Sequence, residues 1–142
     1  MIERYAAVDV FVYGTLKPGE ANYQRYCAGK VLSVQRAITF GQLYALPFGY
    51  PAMIAGDRLV YGFLLTFANA DILAALDRLE GYNSYQPATE NEYIRQRIET
   101  YTSNLKPLAA AWIYLMTFEQ VKAFSGLLLP DGWWSGCGQK ND

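Results

Sequence analysis

The sequence predicts a small, mixed α+β domain whose sheet curls towards a barrel. Six segments are rich in β-branched and aromatic residues and are mostly bounded by turn-forming residues, whereas two segments are typical of helices. Hydrophobic residues make up 52% of the chain and aromatic residues 15%. A chain of 142 residues can bury roughly 70% of the surface that its unfolded form exposes. Because no repeat or linker divides the chain, we expect one domain over residues 1–142.

The strands are predicted from runs of residues that favour extended backbone. The first run, residues 8–13, stops at Gly14, where the backbone can turn freely. It is therefore a strand that leads directly into a loop. The further runs share this composition and cover residues 31–40, 41–46, 59–67, 92–102 and 109–117.

Two segments are predicted as helices. A short one over residues 22–28 begins at an asparagine that can cap it. A longer one opens at residues 69–71, with an acidic residue in its first turn, and ends at Leu79 or Glu80. Gly81 follows, which is a common residue just past the end of a helix.

The absence of histidine excludes several mechanisms. Without it the protein cannot use a Ser-His-Asp or Cys-His nucleophile, His-liganded zinc, or imidazole as a general base. Any group that titrates must be Asp, Glu, Lys, Tyr or Cys. The 12 Lys and Arg residues nearly balance the 13 Asp and Glu residues, so the chain has no excess positive charge to neutralise the phosphates of a nucleic acid. We therefore expect no nucleic-acid partner.

The cysteines and the apolar segments suggest a compartment. Cys27 and Cys137 lie far apart without metal-like spacing, and two reduced thiols are favoured over a disulfide, which remains open. The chain does not begin with a basic region leading into an apolar run, and no stretch approaches the ~18 apolar residues that span a bilayer. We expect a soluble cytoplasmic protein without membrane association or a metal site.

Glu80 is the first candidate for chemistry. On a helical wheel of roughly 100° per residue that sets Leu73 at zero, Glu80 falls at about 340°, beside Leu73 and Leu76. A carboxyl buried at this apolar edge without a partner has a raised pKa, as a group that exchanges protons near neutral pH requires. The alternative is a frayed helix end at which Glu80 turns back to solvent or pairs with an arginine.

The loop over residues 13–19 is the second candidate. Gly14 and Gly19 permit conformations that expose successive backbone N–H groups, which can bind a carboxylate or an oxyanion. Lys17 could steer an anionic substrate towards it. The loop lacks the Lys-Ser/Thr ending of a phosphate-binding loop, which excludes a nucleotide site of that kind. The alternative is an ordinary turn between a strand and a helix.

Two later strands carry polar or aromatic groups of ambiguous direction. Alternation puts Tyr93 and Arg95 on one face, together with Arg97 and Glu99. That face is either solvated, or it looks into a barrel mouth, where a phenol and a guanidinium could orient a carboxylate. Tyr114 has the same ambiguity, although an aromatic residue in so apolar a strand is usually part of the core.

Three blocks, taken together, resemble the γ-glutamylcyclotransferase-like superfamily. They are FVYGTLKPG at residues 11–19 with Asn22, LDRLEGY at residues 76–82, and YIR at residues 93–95. The blocks stand in the order of the family, and the similarity extends roughly over residues 9–118. The resemblance implies a small barrel of mixed strands flanked by helices, with a cavity at one end.

The resemblance also implies an activity that needs no histidine. In this family the α-amine of a γ-glutamyl compound attacks its own γ-carbonyl, closes the ring of 5-oxoproline and releases an amine or a peptide. Glu80 would be the catalytic acid and base, and no cofactor is required. The implied substrate contacts are made by the loop residues Tyr13, Gly14, Thr15 and Leu16, and by Tyr93 and Arg95.

Some features leave the function open. The stretch over residues 81–92 is longer than in compact members of the family, so the leaving group is not determined. The same cavity could serve a binding module without turnover, or the tyrosines could give an interaction surface. The segment Trp133-Trp134 is interpreted as an aromatic clamp that packs the tail.

Overall fold

The structure is a computed structural model in which residues 6–136 are described. Strands predominate, and the helices are short. In chain order the elements are β1 (Val8–Val12), α1 (Tyr23–Tyr26), β2 (Val31–Ala45), β3 (Pro51–Phe67), α2 (Ile72–Leu79), a 3-10 turn (Ala88–Glu90), β4 (Ile94–Tyr101), β5 (Pro107–Leu115), α3 (Phe118–Ala123) and β6 (Leu127–Leu128).

The strands form a ring. Neighbouring strands pair in the order β3, β1, β5, β4 and β2, and β2 pairs again with β3, while β6 pairs along β2. β1 runs parallel to β5, with Val10 opposite Trp112, whereas β1 and β3 are antiparallel. The sheet is therefore mixed and closes on itself. The predicted α+β class, with strands that curl into a ring and helices packed on them, is confirmed.

β1 is buried on both faces. Val10 and Val12 belong to one cluster of buried side chains, together with Leu73 and Leu76 of α2. Phe11, which points to the opposite face because side chains alternate along a strand, belongs to a second cluster. β1 therefore runs through the interior, and the loop that follows it begins inside the protein.

The hairpin of β2 and β3 is longer than the sequence predicts. The two strands predicted over residues 31–40 and 41–46 are one strand, β2, which ends at Ala45. β3 begins at Pro51, whereas the predicted strand begins at residue 59. Both boundaries were wrong for the same reason. Gly41 pairs with Arg58 but its neighbour Gln42 pairs with Ile54, so a bulge absorbs the turn-like residues 55–57 within β3.

The helices agree in part with the prediction. α2 ends at Leu79, followed by Gly81 with a φ of +68°. α1 is shorter than predicted. α3 was not predicted, because residue 117 was placed in a strand. Thr117 instead accepts a hydrogen bond from the backbone N–H of Gln120, whose side chain accepts in return from the N–H of Thr117.

A substitution of Gly62 tests the close packing of β3 against β1 that closes the ring of strands. A Cβ at Gly62 in β3 would lie 2.2 Å from the carbonyl oxygen of Val12 in β1. We expect Gly62→Ala to lower the free energy of unfolding by about 3 kcal/mol, because a backbone atom must move. Gly49→Ala is the control, since nothing lies within 4 Å of its Cβ; it should lose only about 1 kcal/mol through its positive φ. Urea denaturation measures both, and equal losses would contradict the steric role of Gly62.

Candidate active site

A cavity of about 280 Å³ opens where several elements end or begin. This volume is at the lower end of the range for small-molecule sites. The wall combines the end of β1 and its loop, the start of β3, the last residues of α2, the start of β4, and β5. The lining residues are Phe11, Val12, Tyr13, Gly14, Thr15, Leu16, Asn22, Tyr50, Pro51, Leu79, Glu80, Glu92, Tyr93 and Tyr114.

Glu80 reaches this cavity from the end of α2. Its backbone N–H donates to the carbonyl of Leu76 at 2.9 Å, so the residue continues the helical turn. Leu73 and Leu76 are buried and fix the rotation of the helix. Burial, and then the negative charge of Glu92, raise the pKa of Glu80 from 4.5 to about 8. The carboxyl is therefore suited to exchange a proton near neutral pH.

Glu92 is a second carboxylate in the same wall, and no sequence pattern selects it. The hydroxyl of Tyr50 donates to its Oε2 atom at 2.8 Å. Its backbone N–H donates to the carbonyl of Gly81 at 3.0 Å. A Cβ on Gly81 would lie 3.2 Å from Glu92 Oε1, so this carboxylate lies beside the residue that follows Glu80. The alternation of side chains along the predicted strand indicates a polar face that carries Tyr93, and residue 92 lies on the opposite face.

The loop after β1 is held by Asn22. The backbone N–H of Asn22 donates to the carbonyl of Thr15 at 2.9 Å, and its side-chain amide donates to the hydroxyl of Thr15, also at 2.9 Å. Among residues 6–136, the backbone N–H groups of Gly14, Thr15 and Leu16 have no hydrogen-bond acceptor. These three cavity-lining residues therefore offer unused donors to a ligand.

Gly14 is in close contact with the start of β3. A Cβ at this position would lie 2.7 Å from Pro51 Cγ. The carbonyl of Pro51 accepts a hydrogen bond from the hydroxyl of Tyr93 at 2.8 Å. Only a residue without a side chain lets the loop approach β3 this closely, so Gly14 contributes to the shape of the wall.

The buried tyrosines brace the cavity. The hydroxyl of Tyr13 donates to the carbonyl of Tyr114 at 2.6 Å and accepts from the N–H of Met53 at 3.3 Å. Burial raises the pKa of Tyr13 and of Tyr93 well above the ordinary value of a phenol. Tyr114 is buried, as predicted, and also lines the cavity. These hydroxyls stay neutral and serve as hydrogen-bonding groups.

Arg95 is not among the residues that line the cavity, although it pairs with the lining residue Tyr114 across β4 and β5. Its Nε atom is 2.9 Å from Asp77 Oδ1, and its guanidinium carbon is 4.5 Å from the ring centre of Trp112. Asp77 Oδ1 also accepts a hydrogen bond from the hydroxyl of Tyr114 at 2.7 Å. Arg95 thus ties β4 to α2 in this structure. Of the six substrate contacts expected from the sequence, the other five line the cavity with Glu80.

Lys17 does not face the cavity, and the expectation that it steers a substrate is wrong. Its side chain is 1% exposed. The ammonium group donates to the carbonyl of Trp134 and lies 3.4 Å from the ring centre of Trp133. Attraction between a cation and aromatic faces explains this orientation. The two tryptophans pack this segment against the loop, as predicted.

The remaining sequence expectations concern metals, thiols and membranes. In the described part of the chain, no group of three or more Cys, Asp and Glu residues could hold a metal ion. Cys27 is a buried free thiol, and burial raises its pKa to about 11. Cys137 lies outside the described residues. Between residues 6 and 136 no helix has the length and apolarity to cross a membrane.

The environment of Glu80 makes stability depend on pH. A carboxyl with a raised pKa keeps its proton in the folded state while the unfolded chain releases it. Stability from this group is therefore complete below pH 4.5 and is lost as pH rises to about 8, by up to about 1.4 kcal/mol per pH unit. We expect the melting temperature of the wild type, relative to Glu80→Gln, to fall between pH 5 and pH 8.

The matched control is Glu90→Gln, because Glu90 is exposed. Its melting temperature should stay parallel to that of the wild type over the same pH range. Scanning calorimetry at several pH values measures all three proteins. A constant difference between wild type and Glu80→Gln would show that Glu80 is not buried as described.

Comparison with known proteins shows the family of this chain. Residues 10–136 match the family described as "Gamma-glutamyl cyclotransferase, AIG2-like". A Vibrio cholerae protein named "Putative gamma-glutamylcyclotransferase" is 31% identical over 124 residues, which cover 87% of this chain and 93% of that protein.

Solved structures share the fold. The crystal structure of an AIG2-like protein from Mus musculus has a TM-score of 0.69 and 18% identity, over 92% of this chain and 89% of that one. YkqA from Bacillus subtilis has a TM-score of 0.66 and 22% identity, over 96% of this chain. This chain spans only 43% of the length of YkqA. From the family match and the Vibrio cholerae relative, we conclude that the chain belongs to the γ-glutamyl cyclotransferase, AIG2-like family.

Proposed function

We propose that this protein cleaves a γ-glutamyl amine or a γ-glutamyl peptide and releases 5-oxoproline. A bond forms between the α-nitrogen of the substrate and its γ-carbonyl carbon, and the bond from that carbon to the leaving nitrogen breaks. The observation that carries the proposal is the Glu80 carboxyl, which lines the same cavity as the loop over residues 14–16. The activity needs no metal or organic cofactor, and we expect it in the cytoplasm.

Glu80 moves the proton in this reaction. It accepts a proton from the α-ammonium, which frees the lone pair that attacks the γ-carbonyl. It then donates that proton to the leaving nitrogen, so that the amine departs as a neutral molecule. As the intermediate collapses, Glu80 accepts the second proton that the ring nitrogen loses and releases it to solvent, and 5-oxoproline keeps one N–H. One carboxyl can do both because its pKa of about 8 lies near the working pH.

The loop and the confined space contribute the rest. Backbone N–H groups of Gly14, Thr15 and Leu16 bind the α-carboxylate or the oxyanion that develops on the γ-carbonyl oxygen. The cavity of about 280 Å³ confines the flexible glutamyl chain near its cyclic conformation. Ring closure is intramolecular, so such confinement lowers the entropic part of the barrier.

Turnover tests the proposal directly. A panel of γ-glutamyl amino acids and γ-glutamyl amines should yield 5-oxoproline, detected by mass spectrometry. Glu80→Gln should lower kcat at least about 100-fold, because the amide cannot accept the proton. Glu90→Gln makes the same change at an exposed site and should keep wild-type activity.

Equal turnover by Glu80→Gln and the wild type would refute the role of Glu80. Thermal stabilisation by glutamate or 5-oxoproline, with no product from any substrate of the panel, would instead indicate a binding module that uses the same cavity.

The pH profile gives an independent test. Below its pKa of about 8, Glu80 is protonated and cannot accept the proton of the α-ammonium. We expect kcat/KM to fall about tenfold for each pH unit below this value, because this parameter reports the ionisation of the free enzyme. Initial rates at subsaturating substrate between pH 6 and pH 9 measure it. A flat profile between pH 6 and pH 8 would contradict the assignment.

A further inference from the structure

The charge of the cavity wall is one-sided. Among its lining residues, Glu80 and Glu92 alone have ionisable acidic or basic side chains apart from the tyrosines, and neither a lysine nor an arginine lines it. A cavity of this kind favours a positively charged group of the ligand. The unused N–H groups of the loop can take the negatively charged end of the same ligand.

Glu92 is held by three hydrogen bonds, one to its side chain and two to its backbone. The hydroxyl of Tyr50 donates to its carboxylate at 2.8 Å. The side-chain amide of Gln120 donates to its backbone carbonyl at 2.9 Å, and its own N–H is bound to the carbonyl of Gly81. Side chain and backbone are therefore fixed from three separate segments, which is characteristic of a preorganised binding group.

Only one oxygen of the Glu92 carboxylate is engaged by Tyr50. The other, Oε1, lies 3.2 Å from where a Cβ of Gly81 would be, directly beside the residue after Glu80. An ionised carboxylate accepts several hydrogen bonds, so this oxygen retains capacity for a further donor. An ammonium group supplies three such donors.

We propose that Glu92 binds the α-ammonium of the ligand together with Glu80, with Glu92 as the fixed carboxylate and Glu80 as the one that exchanges the proton. This inference rests on the proposed function, because it assumes a glutamyl ligand. It divides the two carboxyls by role. Tyr50 holds Glu92 in place, whereas the side chain of Glu80 forms no hydrogen bond within residues 6–136.

The other titratable groups around Glu80 do not replace Glu92 in this role. Phenols face it from each neighbouring segment: Tyr13 after β1, Tyr50 before β3, Tyr93 before β4, and Tyr114 in β5. The pKa of each phenol is raised by burial, so all four stay neutral over the working pH range. Glu92 is thus the charged neighbour that can pair with an ammonium in this wall.

A matched pair of ligands tests the inference. Glutamine and glutaramic acid differ only in the α-ammonium, and titration calorimetry gives the Kd of each. The wild type should bind glutamine more tightly. Glu92→Gln should lower this preference about tenfold or more, because a hydrogen bond between charged groups is lost. Tyr50→Phe keeps the charge but frees the carboxylate, and should lower the preference less.

Glu90→Gln is again the control and should keep the preference of the wild type. A circular dichroism spectrum establishes that each variant is folded. The acidic limb of the kcat/KM profile is a second readout. It should move to lower pH in Glu92→Gln, because the negative charge that favours the protonated form of Glu80 is gone. This shift reports the charge of Glu92 beside Glu80, whereas the preference for glutamine reports the contact of Glu92 with the α-ammonium.

The outcomes separate this inference from the proposed function. If Glu92→Gln prefers glutamine as strongly as the wild type does, the role of Glu92 is refuted while turnover stands. If the preference falls as expected but no 5-oxoproline forms, the cyclotransferase activity is refuted and the ammonium site stands. If the wild type does not distinguish the two ligands, the ammonium site is refuted in either case.

Discussion

A carboxyl group kept out of water at the end of α2 is the constraint on which the rest of the site depends. Desolvation of this group costs free energy, so the surroundings must prevent Glu80 from turning to solvent. The packing of Leu73 and Leu76 supplies part of that restraint. Asp77 of this helix supplies another, because it forms an ion pair with Arg95 of β4 and accepts a hydrogen bond from Tyr114 of β5. The position of the Glu80 carboxyl, on which the proposed proton transfer depends, is thus maintained by residues that do not line the cavity.

The ring of strands explains why the restraint can be rigid. The hydroxyls of Tyr13 and Tyr93 form hydrogen bonds with backbone atoms of other strands, so these side chains connect the end of β1 to β3 and β5, and the start of β4 to β3. Side chains locked in this way define a cavity without relying on loop order. The site therefore combines rigidly held tyrosine side chains with a loop whose backbone N–H groups remain available to a ligand.

Much of this arrangement could be predicted from the sequence, for identifiable reasons. The periodicity of α2 is strong, and it placed Glu80 on the apolar edge. The bulge in β3 could not be anticipated, because residues 55–57 resemble a turn and only pairing with β2 makes them part of a strand. Glu92 could not be selected from the sequence, because its place in the site depends on contacts with Tyr50 and Gly81, which are distant from it in sequence. For Arg95, the alternation of side chains predicts the face of the strand on which the residue lies, but not that it pairs with Asp77.

The contact between Lys17 and the two tryptophans links distant parts of the chain. Lys17 directly follows Leu16, the last of the three loop residues with unused backbone N–H groups, and its ammonium is covered by Trp133 and Trp134. The contacts of this ammonium group hold the loop in place, so the position of the loop depends on residues more than a hundred positions away in sequence. A fusion partner or a substitution that loosens the tryptophans would therefore displace the loop whose backbone N–H groups line the cavity.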